Sequence, residues 1–198
     1  MRITPFSDPR ARFRAGRFGM RLFLFSLGML FGASLLGYVV IWDRTRPWPA
    51  DLPRLPQVLW ISTAILLLSS VMVQGAVRAA RNDRPDAIRW FMLLTTYAGI
   101  AFLFIQLRAW LGWFQDVSQL WADWNEFRYA LAGFFVLTGL HAAHVVGGLV
   151  PMVIVSRQAM LNRYSSTNRA ALTYMAMYWH FLDVVWIVLF AALKITIG

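Results

Sequence analysis

Five apolar runs dominate the 198 residues of this chain, each about as long as the ~20 residues a helix needs to cross the hydrocarbon core of a bilayer. They lie at about 18–42, 58–80, 90–111, 129–155 and 172–197. The stretches between them carry what a membrane helix does not tolerate. Asp43 and Arg44 precede Pro47, Pro49, Pro53 and Pro56, while Arg78, Arg81, Asn82, Asp83 and Arg84 lead into Pro85. Proline removes a backbone donor and charge is costly in lipid, so these stretches are connectors. A soluble domain is roughly half apolar and about a quarter charged. Here 59% of residues are hydrophobic and 14% charged, which excludes a water-soluble globule. The expected fold class is an all-α integral membrane protein, with a basic cytoplasmic segment over 1–17 and one bundle of five transmembrane helices over 18–198. The first run exceeds a usual signal-peptide core and no small-residue cleavage site follows it, so it reads as a retained helix.

The formal charge of +10 invites a nucleic-acid reading, but the placement of the charge argues otherwise. Taking the N-terminus as cytoplasmic, the inner side holds six Arg up to Arg21, four from Arg78 to Arg89 and three from Arg157 to Arg169. The outer side holds Arg44, Arg46, Arg54, Arg128 and Lys194, with Arg108 inside a span. Membrane proteins place their Lys and Arg in this way on the cytoplasmic side. The expected topology is N-terminus inside and C-terminus outside, in a multi-pass protein of the bacterial cytoplasmic (inner) membrane, and nucleic acid is not an expected partner. Trp42, Trp48, Trp60, Trp110, Trp113, Trp121 and Trp124 fall at or beyond the outer ends of the runs, where indoles form interfacial belts.

Chemistry-bearing motifs are few. The absence of cysteine excludes disulfides, iron–sulfur clusters and thiolate metal sites. No Walker loop, GxGxxG, GxSxG or HExxH is present, and the single glutamate, Glu126, sits in an outer connector. No catalytic residue and no metal site are expected in this chain.

The informative residues are the polar groups inside spans. His141, His144, His180 and Asp183 lie at comparable depth on the last two helices, with His144 and Asp183 each about 16 Å from the inner end. His141 and His144 share one helical face, as do His180 and Asp183. Three readings compete. A buried network would pair His180 or His144 with Asp183 and lock the fourth helix onto the fifth. A b-type haem would take His141 and His180 as axial ligands, and a proton relay would use His and Asp. Gly139, Ala143 and Gly147 recur every four residues, a stripe that lets a neighbouring helix approach closely, and Gly28 and Gly32 repeat the relation in the first helix. Gln106 and Arg108 lie near the outer end of the third helix, where Arg108 can snorkel or meet a lipid headgroup or a partner carboxylate.

Two segments carry a resemblance. Residues 129–148, YALAGFFVLTGLHAAHVVGG, and residues 178–190, YWHFLDVVWIVLF, resemble the signature helices of subunit III of the haem–copper oxidases, the cytochrome c and quinol oxidases. Leu66–Ser70 and Gln106 fit less strongly. The chain resembles the short, five-helix form. The resemblance implies a non-catalytic subunit of a proton-pumping terminal oxidase in aerobic electron transport. Such a subunit packs against the haem–copper subunit I alongside subunit II, binds no haem or copper itself, holds structural phospholipid and supports proton uptake. It places His141, His144, His180 and Asp183 at the family's intramembrane polar positions and Trp179 and Trp186 at its aromatic ones. With Gln106 and Arg108, those two tryptophans are the expected lipid or partner contacts. The chain departs from the family where carboxylates are often found, with Ala109 in the third helix and Leu27 in the first. These departures leave an accessory subunit of a nitric oxide reductase as the alternative, ahead of the bis-histidine cytochrome.

Overall fold

The computed structural model describes residues 8–45, 54–118 and 124–197, without the side chains of Pro9 and of residues 124–127. Five helices follow one another: α1 (Pro9–Arg44), α2 (Val58–Arg81), α3 (Pro85–Ser118), α4 (Trp124–Met160) and α5 (Ala170–Ile197). All five are long and apolar enough to cross a membrane, and among the described residues there is no strand. Trp48, Trp121, Arg2, Arg46, Pro47, Pro49 and Pro53 lie outside the described residues, as do the side chains of Trp124 and Glu126.

The helices outrun the apolar runs that announce them, because a helix does not stop where hydrocarbon does. The basic segment is helical from Pro9: Asp8 caps the first turn by accepting from the Arg10 amide at 2.9 Å, and proline at the first position costs no donor. α3 likewise starts at Pro85, with Asp86 in its first turn facing the positive end of the helix dipole. Among the described residues two that are not glycine, Asp83 and Asn162, take positive φ values of 49° and 55° and turn the chain between helices. Asp and Asn tolerate this geometry better than bulkier residues. The two turns are latched together: Asp83 Oδ1 accepts from the Ser166 amide at 2.6 Å, and Arg89 donates to Asn162 Oδ1 from Nε at 3.0 Å and Nη2 at 2.6 Å.

α4 and α5 form the centre. α4 packs against α1, α3 and α5, α5 packs against α1, α2 and α4, and α2 pairs with α3. Hydroxyl groups staple these contacts. Thr96 and Ser156 join α3 to α4 at 2.8 Å, and Tyr178 donates to the His144 carbonyl at 2.8 Å to join α5 to α4. Tyr38 and Thr196 join α1 to α5 at 2.5 Å. Within the hydrocarbon lipid offers a hydroxyl no alternative partner, which favours such bonds between helices.

The expected tryptophan belt is only partly a belt. Trp60 is 59% exposed, as an interfacial indole is, but Trp113 is fully buried and packs on Phe134 with ring centroids 4.2 Å apart. α3 runs to Ser118, so Trp113 lies inside it rather than beyond its end.

Candidate functional site

His180 and the two indoles of α5 bond to α2, not α4. His180 Nδ1 lies 2.5 Å from Ser70 Oγ, and its Nε2 lies 3.3 Å from Gln74 Oε1. One turn on, Asp183 is buried, with Oδ2 4.0 Å from His180 Nδ1. Two indoles extend the same seam: Trp179 donates to Ser69 Oγ at 2.8 Å and Trp186 to Thr63 Oγ1 at 2.9 Å. Of the histidines, only His180, its neighbour on the same helix, comes near Asp183, and neither carboxylate oxygen has a hydrogen-bond partner among the described residues. The lock joins α5 to α2 rather than to α4, because α2 presents Thr63, Ser69, Ser70 and Gln74 to α5.

His141 and His144 lie apart from that seam. His144 Nδ1 bonds its own helix at the Leu140 carbonyl (2.8 Å), and its ring meets Phe31 of α1 edge-on. His141 is 1% exposed and ringed by Phe31, Phe102 and Trp186, the last at 5.1 Å between centroids. Its two nitrogens make no hydrogen bond among the described residues, nor does the buried amide of Gln106. The bis-histidine reading does not fit this arrangement: aromatic rings close round His141, while both nitrogens of His180 are engaged by α2. Among the described residues no three His, Cys, Asp or Glu side chains gather as a metal-binding group.

The glycine stripe is a correction as well. A Cβ added at Gly147 would meet nothing within 4 Å, one at Gly139 only Trp110 at 3.9 Å, and Ala143 is exposed. Gly28 meets only Phe181 at 3.8 Å and Gly32 meets nothing. Close approach occurs instead at Gly148, where a Cβ would lie 2.5 Å from the Tyr178 ring, and at Gly99, where it would lie 2.9 Å from the Trp179 ring. Gly147 floors an apolar groove of about 490 Å³ with Met20, Phe23, Pro151, Met175 and Tyr178. Pro151 has no N–H to return to the residue four before it, so the Gly147 carbonyl is left without its helical partner in this groove.

Tyr174 lines this groove and also a second pocket, of about 970 Å³, at the start of α1 and α5. Arg10, Arg12, Arg14 and Arg169 line that pocket, together with Asp8, whose carboxylate caps α1. Sequence reasoning did not single out these arginines beyond their topological count; their convergence depends on the α1–α5 contact. Of the four residues expected to meet lipid or a partner, Gln106, Trp179 and Trp186 are buried within the bundle and only Arg108 is exposed. Leu27 and Ala109, at the positions of family carboxylates, are buried too.

Residues 11–196 match the family of cytochrome c oxidase subunit III. The cytochrome bo(3) ubiquinol oxidase subunit 3 of Pseudomonas aeruginosa is 32% identical over 178 residues, covering 87% of this chain and 81% of the relative. The cytochrome c oxidase subunit 3 of Synechocystis sp. is 32% identical over 177 residues, 87% of this chain and 72% of the relative. A probable quinol oxidase subunit 3 of Staphylococcus haemolyticus is 30% identical over 184 residues, with 89% and 86% covered.

Proposed function

Because this chain belongs to the cytochrome c oxidase subunit III family, we propose that it is the third subunit of a bacterial haem–copper terminal oxidase, packed against subunit I with subunit II in the same complex. The chain itself is not the catalytic subunit. It is a multi-pass protein of the bacterial cytoplasmic membrane. The observation that carries the reading is the match over 11–196, which takes in all five helices save their outermost residues. The named relatives are oxidase subunits, which favours an O2-reducing complex over nitric oxide reduction. The arginine bias supports a cytoplasmic N-terminus.

In this reading the subunit also holds a structural phospholipid and supports proton uptake by subunit I. Two adjoining spaces favour the lipid. The arginine-lined pocket suits a phosphate, which planar guanidinium groups bind well. The apolar groove beside Gly147 suits an acyl chain, and Tyr174 borders both.

A mild-detergent purification of the tagged chain tests the whole reading. Co-elution with haem- and copper-bearing subunits that consume O2 is expected. A lone chain with a b-type haem spectrum, or a nitric oxide-reducing pair without subunit II, overturns it.

A further inference from the structure

His180 is in an unusual position for a membrane-embedded imidazole. Its side chain is 40% exposed. It sits ten residues into α5 and Ser70 sits eleven residues before the end of α2, so both lie about 15 Å from the same helix ends, inside the hydrocarbon. Gln74, one turn from Ser70 on α2, completes a half-exposed polar seam. The surroundings are apolar. Leu67 and Val71 flank it on α2 at 41% and 69% exposure, and Val184 and Ile187 flank it on α5 at 60% and 43%.

The hydrogen bonding of the seam has a direction. Gln74 Oε1 accepts from His180 Nε2, so the ring carries its proton there and Nδ1 accepts from the Ser70 hydroxyl. The Gln74 carbonyl oxygen and His180 Nδ1 are then engaged as acceptors. The Gln74 amide nitrogen keeps two N–H donors with no partner among the described residues. Donors in hydrocarbon are costly unless a neighbour accepts from them. Acyl chains carry no acceptor, lipid ester groups begin about one turn away near Arg78, and the apolar rim leaves no polar wall to hold water. An acceptor on a neighbouring protein helix fits donors held on this face.

We infer that the α2–α5 seam at Ser70, Gln74 and His180 is a docking surface for a transmembrane helix of a partner subunit, which presents a hydrogen-bond acceptor (a hydroxyl, amide or carboxylate side chain) to the Gln74 amide. The inference rests on the reading of the chain as an oxidase subunit and adds the face by which it joins the complex and the chemistry it requires there. Interhelical hydrogen bonds in membranes are worth about 0.6 kcal/mol on average, an effect of about threefold on an equilibrium.

Two measurements on the whole complex test this. In the first, Gln74→Leu is expected to lower retention of the chain in the detergent-purified complex about threefold, with its level in membranes unchanged. Unchanged retention overturns the inference. In the second, a photoreactive side chain replaces Val184, beside the seam, and is expected to cross-link to another subunit of the oxidase. Cross-linking only to lipid, or to a second copy of this chain, overturns it. Failure of the underlying reading looks different: the unmodified chain would then co-elute with no haem-bearing subunit.

Discussion

The indole N–H of Trp179 on α5 donates to the hydroxyl of Ser69 on α2 across 2.8 Å, with both residues fully buried. Ser69 in turn donates to its own helix at the Leu66 carbonyl, so it serves both helices at once. Ser69→Ala leaves the indole donor without an acceptor where no water competes for it. The expected loss is about 1–2 kcal/mol, read as a lower midpoint for thermal loss of helical circular dichroism. Trp179→Phe, which removes the donor together with its acceptor's task, should cost less than Ser69→Ala beyond the lost packing. A Ser69→Ala midpoint equal to that of the unmodified chain contradicts the pairing.

Adjacent glycines on α4 should respond in opposite ways. Gly148→Ala forces the Tyr178 ring away from a Cβ that would stand 2.5 Å from it, and so strains the Tyr178–His144 carbonyl bond. A stability loss of roughly 1–3 kcal/mol is expected, as for overpacked cores. At Gly147 a Cβ meets no atom within 4 Å, so Gly147→Leu extends into the apolar groove and should leave the thermal midpoint in place while lowering the phospholipid that copurifies with the chain. Lipid phosphorus assayed after delipidating washes, beside the two melting curves, decides the matter.

The two inter-helix turns should contribute to stability in a pH-dependent way, through the Asp83 latch at the acid end and through Tyr164, in the turn after α4, at the alkaline end. The Ser166 amide holds the Asp83 carboxyl below its usual range. Its contribution is therefore complete above the unfolded value of about 3.9 and is lost as pH falls below it. At the other end, burial pushes the Tyr164 phenol up to about 12. The neutral phenol's contribution is complete below the unfolded value of about 10 and fades as pH rises towards 12. Asp83→Asn should flatten the acid arm of a stability–pH profile, and Tyr164→Phe the alkaline arm. An Asp83→Asn profile that superimposes on that of the unmodified chain counts against the latch, and a Tyr164→Phe profile that does so counts against the burial of the phenol.

The arginine pocket should be selective for anionic headgroups. Replacing Arg10, Arg14 and Arg169 with Gln is expected to reduce copurifying anionic phospholipid several-fold and to leave zwitterionic lipid unchanged. Equal loss of both classes would point to the apolar groove alone.

The spans and their order were legible in the sequence, because hydropathy fixes them without knowledge of neighbours. What the sequence did not reveal depends on which helix stands beside which. Periodicity puts Gly139, Ala143 and Gly147 on one stripe, but the same stripe serves a helix contact or a groove equally well. His180 and Asp183 read as partners by their spacing, whereas Ser70 and Gln74 lie more than a hundred positions away, and only the α2–α5 contact brings them in. Thr63 and Ser69 each donate to their own backbone, and nothing in their spacing announces the indole N–H groups from which they also accept. Trp113 sits near the outer end of its apolar run, so it read as interfacial until α3 continued past it.

α1 is held chiefly by α4 and α5, the two helices made after all the others. Of these five helices, α2 and α3 follow α1 before either of its main partners is made, so the face that α1 later buries waits in lipid for α4 and α5. Assembly of the bundle is therefore a closure between helices far apart in the chain, completed only once α5 has left the ribosome.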